Sequence, residues 1–370
     1  MFRTLAIETS CDDTSVSIVC AEAWNFVVEQ LKSFSQIELH QQYGGVVPEL
    51  AYRSHAEKIV PLLASLGDKD FFASLDAISV TAAPWLPGAL VVGITAAYTL
   101  GAIYKLPVIE VDHIMWHVFS VLLERNINEL KLPAICLTVS GGHNDIYLIT
   151  DIATAPQTKN DDLQRHKRGH LPVWSTRQVG PFTVTKLAQT MDDAAGEVFD
   201  KVARMLDGPY PGGARIGQQA LLWKENPQRE FRVRAQHDEE WLFSFSGIKG
   251  QVQQRIQHRM STHGSLTDAD RADIAFGFQE AVVEALASKV VYYATKQHAQ
   301  SVWIVWGVSA NHRLREVVQQ HLELDHQTAM HILFPKQFVY CTDNAAMIGA
   351  CGVLSHQLDR FSEQARDDNK

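Results

Sequence analysis

Cysteine is scarce in this chain, and the five present, Cys11, Cys20, Cys136, Cys341 and Cys351, include no Cys-x-x-Cys pair. An odd, scattered set gives neither a disulfide framework nor a thiolate zinc site. Positive charge is also in deficit: 33 Lys and Arg stand against 42 Asp and Glu, a net charge of −9 with pI ≈ 6.0. A surface that is basic all over, as nucleic-acid coating would need, is excluded; a local basic groove is not. The opening M-F-R-T-L-A-I-E-T has an acid, Glu8, and no long apolar run, so no signal peptide is expected. Ile78 to Tyr104 lacks charge altogether, but Pro84, Pro87, Gly88, Gly93 and Gly101 punctuate it. A membrane span needs about 20 continuous apolar residues, and the proline pair leaves fewer. Gly93, Ala97 and Gly101 recur every four residues, the small face with which a buried helix lies close on a sheet. No membrane association is expected, and the chain is read as cytoplasmic.

The 370 residues are 46% hydrophobic and 20% charged, enough for a real core and for two domains or one large bilobal one. Thr4–Glu8 and Ser15–Cys20 are β-branched runs joined by S-C-D-D-T, a strand–turn–strand hairpin. The figure returns as Ile135–Val139, S-G-G-H-N and Asp145–Ile149, and a third strand, Val302–Val305, runs into Trp306-Gly307 and a helical pattern from Asn311. Two similar hairpins suggest a duplicated α/β architecture with a cleft between its halves. Turns of this kind can converge backbone N–H groups on nucleotide phosphates; S-G-G is equally readable as a tight turn and nothing more.

Residues 151–190 read as an irregular insertion, polar and broken by Pro156, Pro172 and Pro181. Between Leu163 and Met191 stand Arg165, Lys167, Arg168, Arg177 and Lys186 with no acid among them. Residues 224–259 add Lys224, Arg229, Arg232, Arg234, Lys249, Arg255 and Arg259, diluted by acids. Both runs are also what a solvated face looks like. The tail from Glu363 is polar and expected to fray.

His113 and His117 stand four apart, so on a helix they share a face and can chelate one ion. Spacing alone proves little: sixteen histidines in 370 residues supply nearly one such pair by chance, and His166/His170 is another. Context favours the first pair, which follows a strand (Pro107–Val111) where parallel sheets place functional loops. Asp343, in Y-C-T-D-N-A-A-M-I-G-A, is either a third ligand or a helix N-cap. Two His and one carboxylate would make an open, catalytic site suited to iron or zinc. A zinc-protease H-E-x-x-H helix is excluded, since Ile114 stands where its general-base Glu belongs.

Together these segments resemble one family. I-E-T-S-C-D-D-T-S (7–15), Y-G-G-V-V-P-E-L-A (43–51), V-D-H-I-M-W-H (111–117) and V-S-G-G-H (139–143) are followed by D-D-A-A-G-E-V-F-D-K (192–201) and Y-P-G-G (210–213). F-S-F-S-G-I-K (243–249), V-S-A-N (308–311) and C-T-D-N-A-A-M-I-G (341–349) complete the set. In this order, over nearly the whole chain, they resemble the tRNA threonylcarbamoyladenosine transferase (TsaD) family, similar in fold to the actin/Hsp70/sugar-kinase (ASKHA) superfamily. The resemblance implies a duplicated actin-like, bilobal α/β fold with a nucleotide cleft between lobes. One lobe would be 1–111 plus about 320–357, the other 112–319 with the 151–190 insertion, and 358–370 a tail. It implies transfer of a threonylcarbamoyl group from threonylcarbamoyl-adenylate to N6 of adenosine 37 in tRNAs reading codons that begin with A, with release of AMP. One divalent metal, iron first and zinc second, would sit on His113, His117 and Asp343. Nucleotide and substrate contacts fall on Thr138, Val139, Ser140, Gly141, Gly142, Asp200, Gly213 and Asn311, without a covalent or acid–base catalytic residue. Asp200 could instead be a surface ion pair and Asn311 a helix cap. The implied partners are tRNA, a paralogous actin-like (TsaB-like) subunit and a small (TsaE-like) ATPase. The alternatives are a non-catalytic scaffold subunit of the same modification complex and, last, a kinase of the superfamily. The chain departs from the family at Met115 for a usual Glu, at Ala83-Pro84-Trp85-Leu86 for Gly-Pro-Gly-Leu, at Trp306-Gly307 for Gly-Gly, at Gly217 for a frequent Asp, and in the length of 151–190.

Overall fold

The structure, a computed structural model, describes residues 1–151, 176–223, 231, 242–325 and 330–367. The chain divides into two units, Met1–Lys131 with Arg177–Thr183 and Phe334–Lys370, and Leu132–Thr176 with Val184–Leu333.

In the first unit, β1 (Phe2–Glu8), β2 (Asp13–Glu22), β3 (Asn25–Ser35), β4 (Ala77–Ala83) and β5 (Val108–Asp112) form one sheet in the order β3-β2-β1-β4-β5. The expected hairpin is there: β1 and β2 run antiparallel from Phe2↔Ala21 to Glu8↔Ser15. β4 joins β1 in parallel, and β5 joins β4 in parallel. Leu5, Ile7, Val16, Ile18, Ile78 and Val80 pack with Ile59, Leu63 and Ala97 in one apolar core. The helices Pro48–Ala64 and Pro87–Tyr104 supply that layer, and the long helix Ala345–Asp367 packs on β1, β2 and β4 as well.

The uncharged segment is thus most of strand β4 followed by a helix that packs on the sheet. A Cβ at Gly93 would stand 2.6 Å from Thr9 Oγ1 and one at Gly101 2.7 Å from Val108 Cγ2, so only glycine permits this approach. Among the described residues, Pro87–Tyr104 is the one helix long and apolar enough to cross a membrane.

The other sheet holds β6 (Ala134–Val139), β7 (Asn144–Asp151), β8 (Thr176–Val179), β9 (Phe182–Thr190), β10 (Leu242–Phe243), β11 (Ser301–Val305) and β12 (His331–Leu333), ordered β10-β9-β7-β6-β11-β12 with β8 on β9; it belongs to the second unit except for Arg177–Thr183, which count with the first. The second expected hairpin is β6–β7, antiparallel from Ala134↔Ile149 to Val139↔Asn144, and β11 lies parallel to β6. The helices of the second unit are Ala195–Met205, Gly213–Trp223, Ser246–His263, the 29-residue Asp268–Lys296 and His312–Asp325.

Two expectations change. The boundary placed at 111 falls inside the first unit, because β5 stays paired with β4 and the helix after it packs beside Ala345–Asp367. The irregular insertion is regular at its end: β8 and β9 turn at Gly180, whose φ of 56° is a glycine conformation, and V-G-P-F is that turn's sequence. His166, His170, Arg165, Lys167 and Arg168 lie outside the described residues, as do Lys224, Arg229, Arg232 and Arg234.

Candidate metal centre and substrate-binding loops

At the end of β5 the chain turns into the short helix His113–Val118. Asp112 caps it, its Oδ1 accepting from Ile114 N (2.9 Å) and Met115 N (3.2 Å) and its Oδ2 from Arg177. The cap starts the turn that puts His113 and His117 on one face, and both imidazoles are fully buried. Asp343 arrives from the other end of the chain, after the 3₁₀ turn Phe338–Cys341. It does not cap the following helix; Asn344 does, its Oδ1 accepting from Ala346 N at 3.0 Å.

One nitrogen of each imidazole and one Asp343 oxygen lie within 4.8 Å of one another. His117 Nε2 is 3.1 Å from Asp343 Oδ1, an edge length suited to ligands bound at about 2.0–2.2 Å. Burial holds His117 well below its ordinary pKa, and the neutral imidazole is the form that ligates. Ser10 Oγ lies 2.9 Å from His113 Nδ1, so Nε2 is the nitrogen His113 would offer a metal. Trp85 stacks on His113 (5.0 Å, 12°) and Trp116 on His117 (3.9 Å, 28°).

The sequence reading missed the charge around this cluster. Glu8 is wholly buried, accepts from Ser10 N and Thr81 Oγ1, and is pushed up to about 8 by burial and then by Asp343. Asp13 is pushed up to about 7 by burial, then by Asp12 and Asp343, and Asp12 is raised by burial and Asp343. Four carboxyl groups thus crowd a water-poor region, a field that a cation relieves. The signal was visible as E-T-S-C-D-D, but a turn sequence alone does not say where its acids point. The donor set and this field fit a divalent metal.

The predicted nucleotide contacts all lie in the second unit. Thr138 and Val139 are buried on β6, while Gly141 and Gly142 are exposed at the turn beyond it. That turn is held by its own serine: Ser140 Oγ accepts from Gly142 N (3.0 Å) and His143 N (2.9 Å). The tight-turn reading therefore accounts for two of its N–H groups. Ala195–Met205 begins against it, Gly196 N donating to Ser140 O at 3.0 Å. From the same helix Asp200, half-buried and raised by desolvation, accepts from Gly212 N at 2.6 Å and so holds the loop that ends at Gly213. Asn311 is a cap, as its alternative reading allowed: its Oδ1 accepts from Arg313 N (2.9 Å) and Leu314 N (3.2 Å).

Asn311 Nδ2 donates to Gln279 Oε1 (3.2 Å), and that oxygen lies 3.7 Å from where a Cβ on Gly217 would be. Gln279, buried on Asp268–Lys296, was not singled out from the sequence. Trp306 sits at φ 78°, 6% exposed. The D-D-A-A-G and F-S-F-S-G-I-K motifs clasp each other. Asp192 accepts from Ser244 Oγ (2.6 Å), Ser246 Oγ (2.5 Å) and Phe245 N (2.9 Å), and Asp193 pairs with Lys201 and Lys249. Arg255 and Arg259 likewise face Asp273 and Asp270.

The model of the family described as "tRNA N6-adenosine threonylcarbamoyltransferase" matches residues 28–164 and 176–350. Relatives of that name include one from Moorella thermoacetica, 38% identical over 361 residues (96% of this chain, 92% of the relative). Another, from a Synechococcus species, is 38% identical over 368 residues (97% and 88%). In fold, the chain is similar to HypF of T. kodakarensis, with a TM-score of 0.54 over 97% of this chain and 48% of that one at 12% identity. The two share a mixed α/β fold. By full-length likeness, motif order and fold, the chain belongs to the TsaD family, the tRNA-modifying acyltransferases called tRNA N6-adenosine threonylcarbamoyltransferases.

Proposed function

We propose that this chain transfers the threonylcarbamoyl group of threonylcarbamoyl-adenylate to N6 of adenosine 37 in tRNAs that read codons beginning with A, releasing AMP. The observation that carries the reading beyond the family is the His113–His117–Asp343 cluster, set among Glu8, Asp12 and Asp13. Two imidazoles and a carboxylate suit iron(II), with zinc the second candidate. A divalent ion bound there supplies a Lewis acid for a carbonyl or phosphate oxygen.

The remaining work is positioning. N6 of adenosine is a weak nucleophile, and holding it against the carbamoyl carbon replaces a rare encounter by a near-unimolecular step. The new bond is N6–C, the broken bond is C–O to the AMP phosphate, and the amine proton leaves to solvent. Thr138 and Val139 at the end of β6 and the turn of Ser140, Gly141 and Gly142 are assigned to the adenylate, with Asp200, Gly213 and Asn311 on its nucleoside side. Asp200 fixes the Gly212–Gly213 loop and Asn311 the head of its helix, so both order the backbone the nucleotide would meet. The scaffold alternative is not favoured, given relatives named as transferases over nearly the full length.

The partners proposed beside tRNA are a paralogous actin-like (TsaB-like) subunit and a small (TsaE-like) ATPase, in the cytoplasm. Support for a protein partner comes from the packed helices Pro48–Ala64 and Pro87–Tyr104, which leave Val60, Val91, Tyr98 and Ile103 exposed. The test is direct. Purified chain with its partners, given threonylcarbamoyl-adenylate and unmodified tRNA, should release AMP and form threonylcarbamoyladenosine in equal amounts. AMP release without modified nucleoside would refute the reading.

A further inference from the structure

Trp85 stands where glycine-like backbone is required. Its φ of 147° is a conformation in which a side chain is strained, and it occupies the second glycine position of a Gly-Pro-Gly-Leu-type segment. A bulky residue persists in such a place when its surroundings hold it there. Two do: the indole face lies on His113, ring centroids 5.0 Å apart and 12° from parallel, and its side chain is hydrogen-bonded to Cys11.

Cys11 follows Ser10, which reaches Nδ1 of His113 at 2.9 Å. Consecutive residues of the β1–β2 turn therefore hold the imidazole and the ring stacked on it. Trp116 meets the same imidazole edge-on at 4.5 Å. The imidazole cannot rotate about its χ2 axis without losing both Ser10 and the Trp85 stack, and in this orientation its coordinating nitrogen shares the cluster with His117 and Asp343.

We propose that Trp85 is a positioning residue for the metal ligand His113, fixing its ring in the coordinating orientation before the ion arrives. The inference rests on the metal reading of the cluster and goes beyond it, since the ligand set alone does not require an aromatic residue at 85.

A structural role and a positioning role predict opposite things for Trp85→Gly. Glycine relieves the backbone conformation, so the metal-free protein should melt at the wild-type temperature or above it. Loss of the stack frees the imidazole, so affinity for cobalt(II), titrated against a chelator into the full chain, should fall about tenfold, the lower end of what outer-shell partners contribute. Trp85→Phe keeps a stacking ring and should stay within about threefold of wild type. Wild-type cobalt affinity in Trp85→Gly would overturn the proposal. So would a weakened site accompanied by a lower metal-free melting temperature, which marks ordinary packing. His113→Ala separates the two levels: if wild type and His113→Ala take up cobalt alike, the metal reading itself fails, and Trp85 with it.

Discussion

Glu8 offers the sharpest test of the electrostatics around the cluster. It holds its proton to about pH 8 in the fold, against an ordinary 4.5. Burial without exposure favours its neutral form, and together with Asp343 outweighs the hydrogen bonds from Ser10 N and Thr81 Oγ1, which favour the carboxylate. Between those two values the native state holds one proton more than the unfolded chain, so unfolding free energy falls as pH rises, by about 1.4 kcal/mol per unit. The loss starts near pH 4.5, totals about 5 kcal/mol by pH 8, and then levels off. Glu8→Gln carries a neutral isostere of the protonated acid in both states and should lack this slope. Relative to wild type, the variant should therefore gain about 2–3 kcal/mol between pH 6 and pH 9. Asp13, which titrates in the same direction, is present in both proteins. The assay is urea unfolding at the two pH values with a chelator present, because a bound cation would favour ionised Glu8. A difference between the two proteins that does not change with pH, or that moves against the variant as pH rises, refutes the argument.

The clasp in the second unit predicts the opposite pH sense. Burial pushes Asp193 up, but its bonds to Lys201 and Lys249 outweigh that and hold it below its ordinary value. Asp193→Asn should cost about 1–2 kcal/mol at pH 7, a loss that disappears as pH falls through the ordinary carboxylate range and below, read by urea unfolding at pH 7 and pH 3. Asp200→Ala should weaken adenylate binding by about 1–3 kcal/mol in calorimetry, while Asp200→Asn, which can still accept from Gly212 N, should lose less. Replacing Arg165, Lys167 and Arg168 together with Ala should weaken tRNA binding equally for cognate and non-cognate tRNAs and flatten its salt dependence, with adenylate affinity unchanged. A wild-type salt slope in that triple variant would leave no backbone role for the segment.

The two hairpins were legible because β-branched runs around polar turns have one economical solution, and β1–β2 and β6–β7 adopt it. The spacing of Gly93, Ala97 and Gly101 likewise announced the close approach that Thr9 and Val108 enforce. His113 and His117 could be paired from sequence, since four residues make one helical turn; that Asp343 would join them required the fold, because 226 positions of chain separate it from His117. Local pattern also could not choose between ligand and cap at Asp343; in the structure the bond to Ala346 N at the head of the helix comes from its neighbour Asn344. The field of Glu8, Asp12 and Asp13 stayed hidden for another reason: a carboxylate in a turn is usually solvated, and only burial turns three of them into a site. Strands β8 and β9 were missed because prolines and basic residues around them read as loop, although V-G-P-F marks their turn.

The central claim is that this chain supplies the threonylcarbamoyl-transfer step in tRNA. It is tested most directly by mass spectrometry of nucleosides from the tRNA of cells depleted of the protein and carrying no second copy of its gene. Threonylcarbamoyladenosine should fall as the protein is lost, return with the wild-type chain, and fail to return with His113→Ala. An unchanged level after depletion would contradict the account.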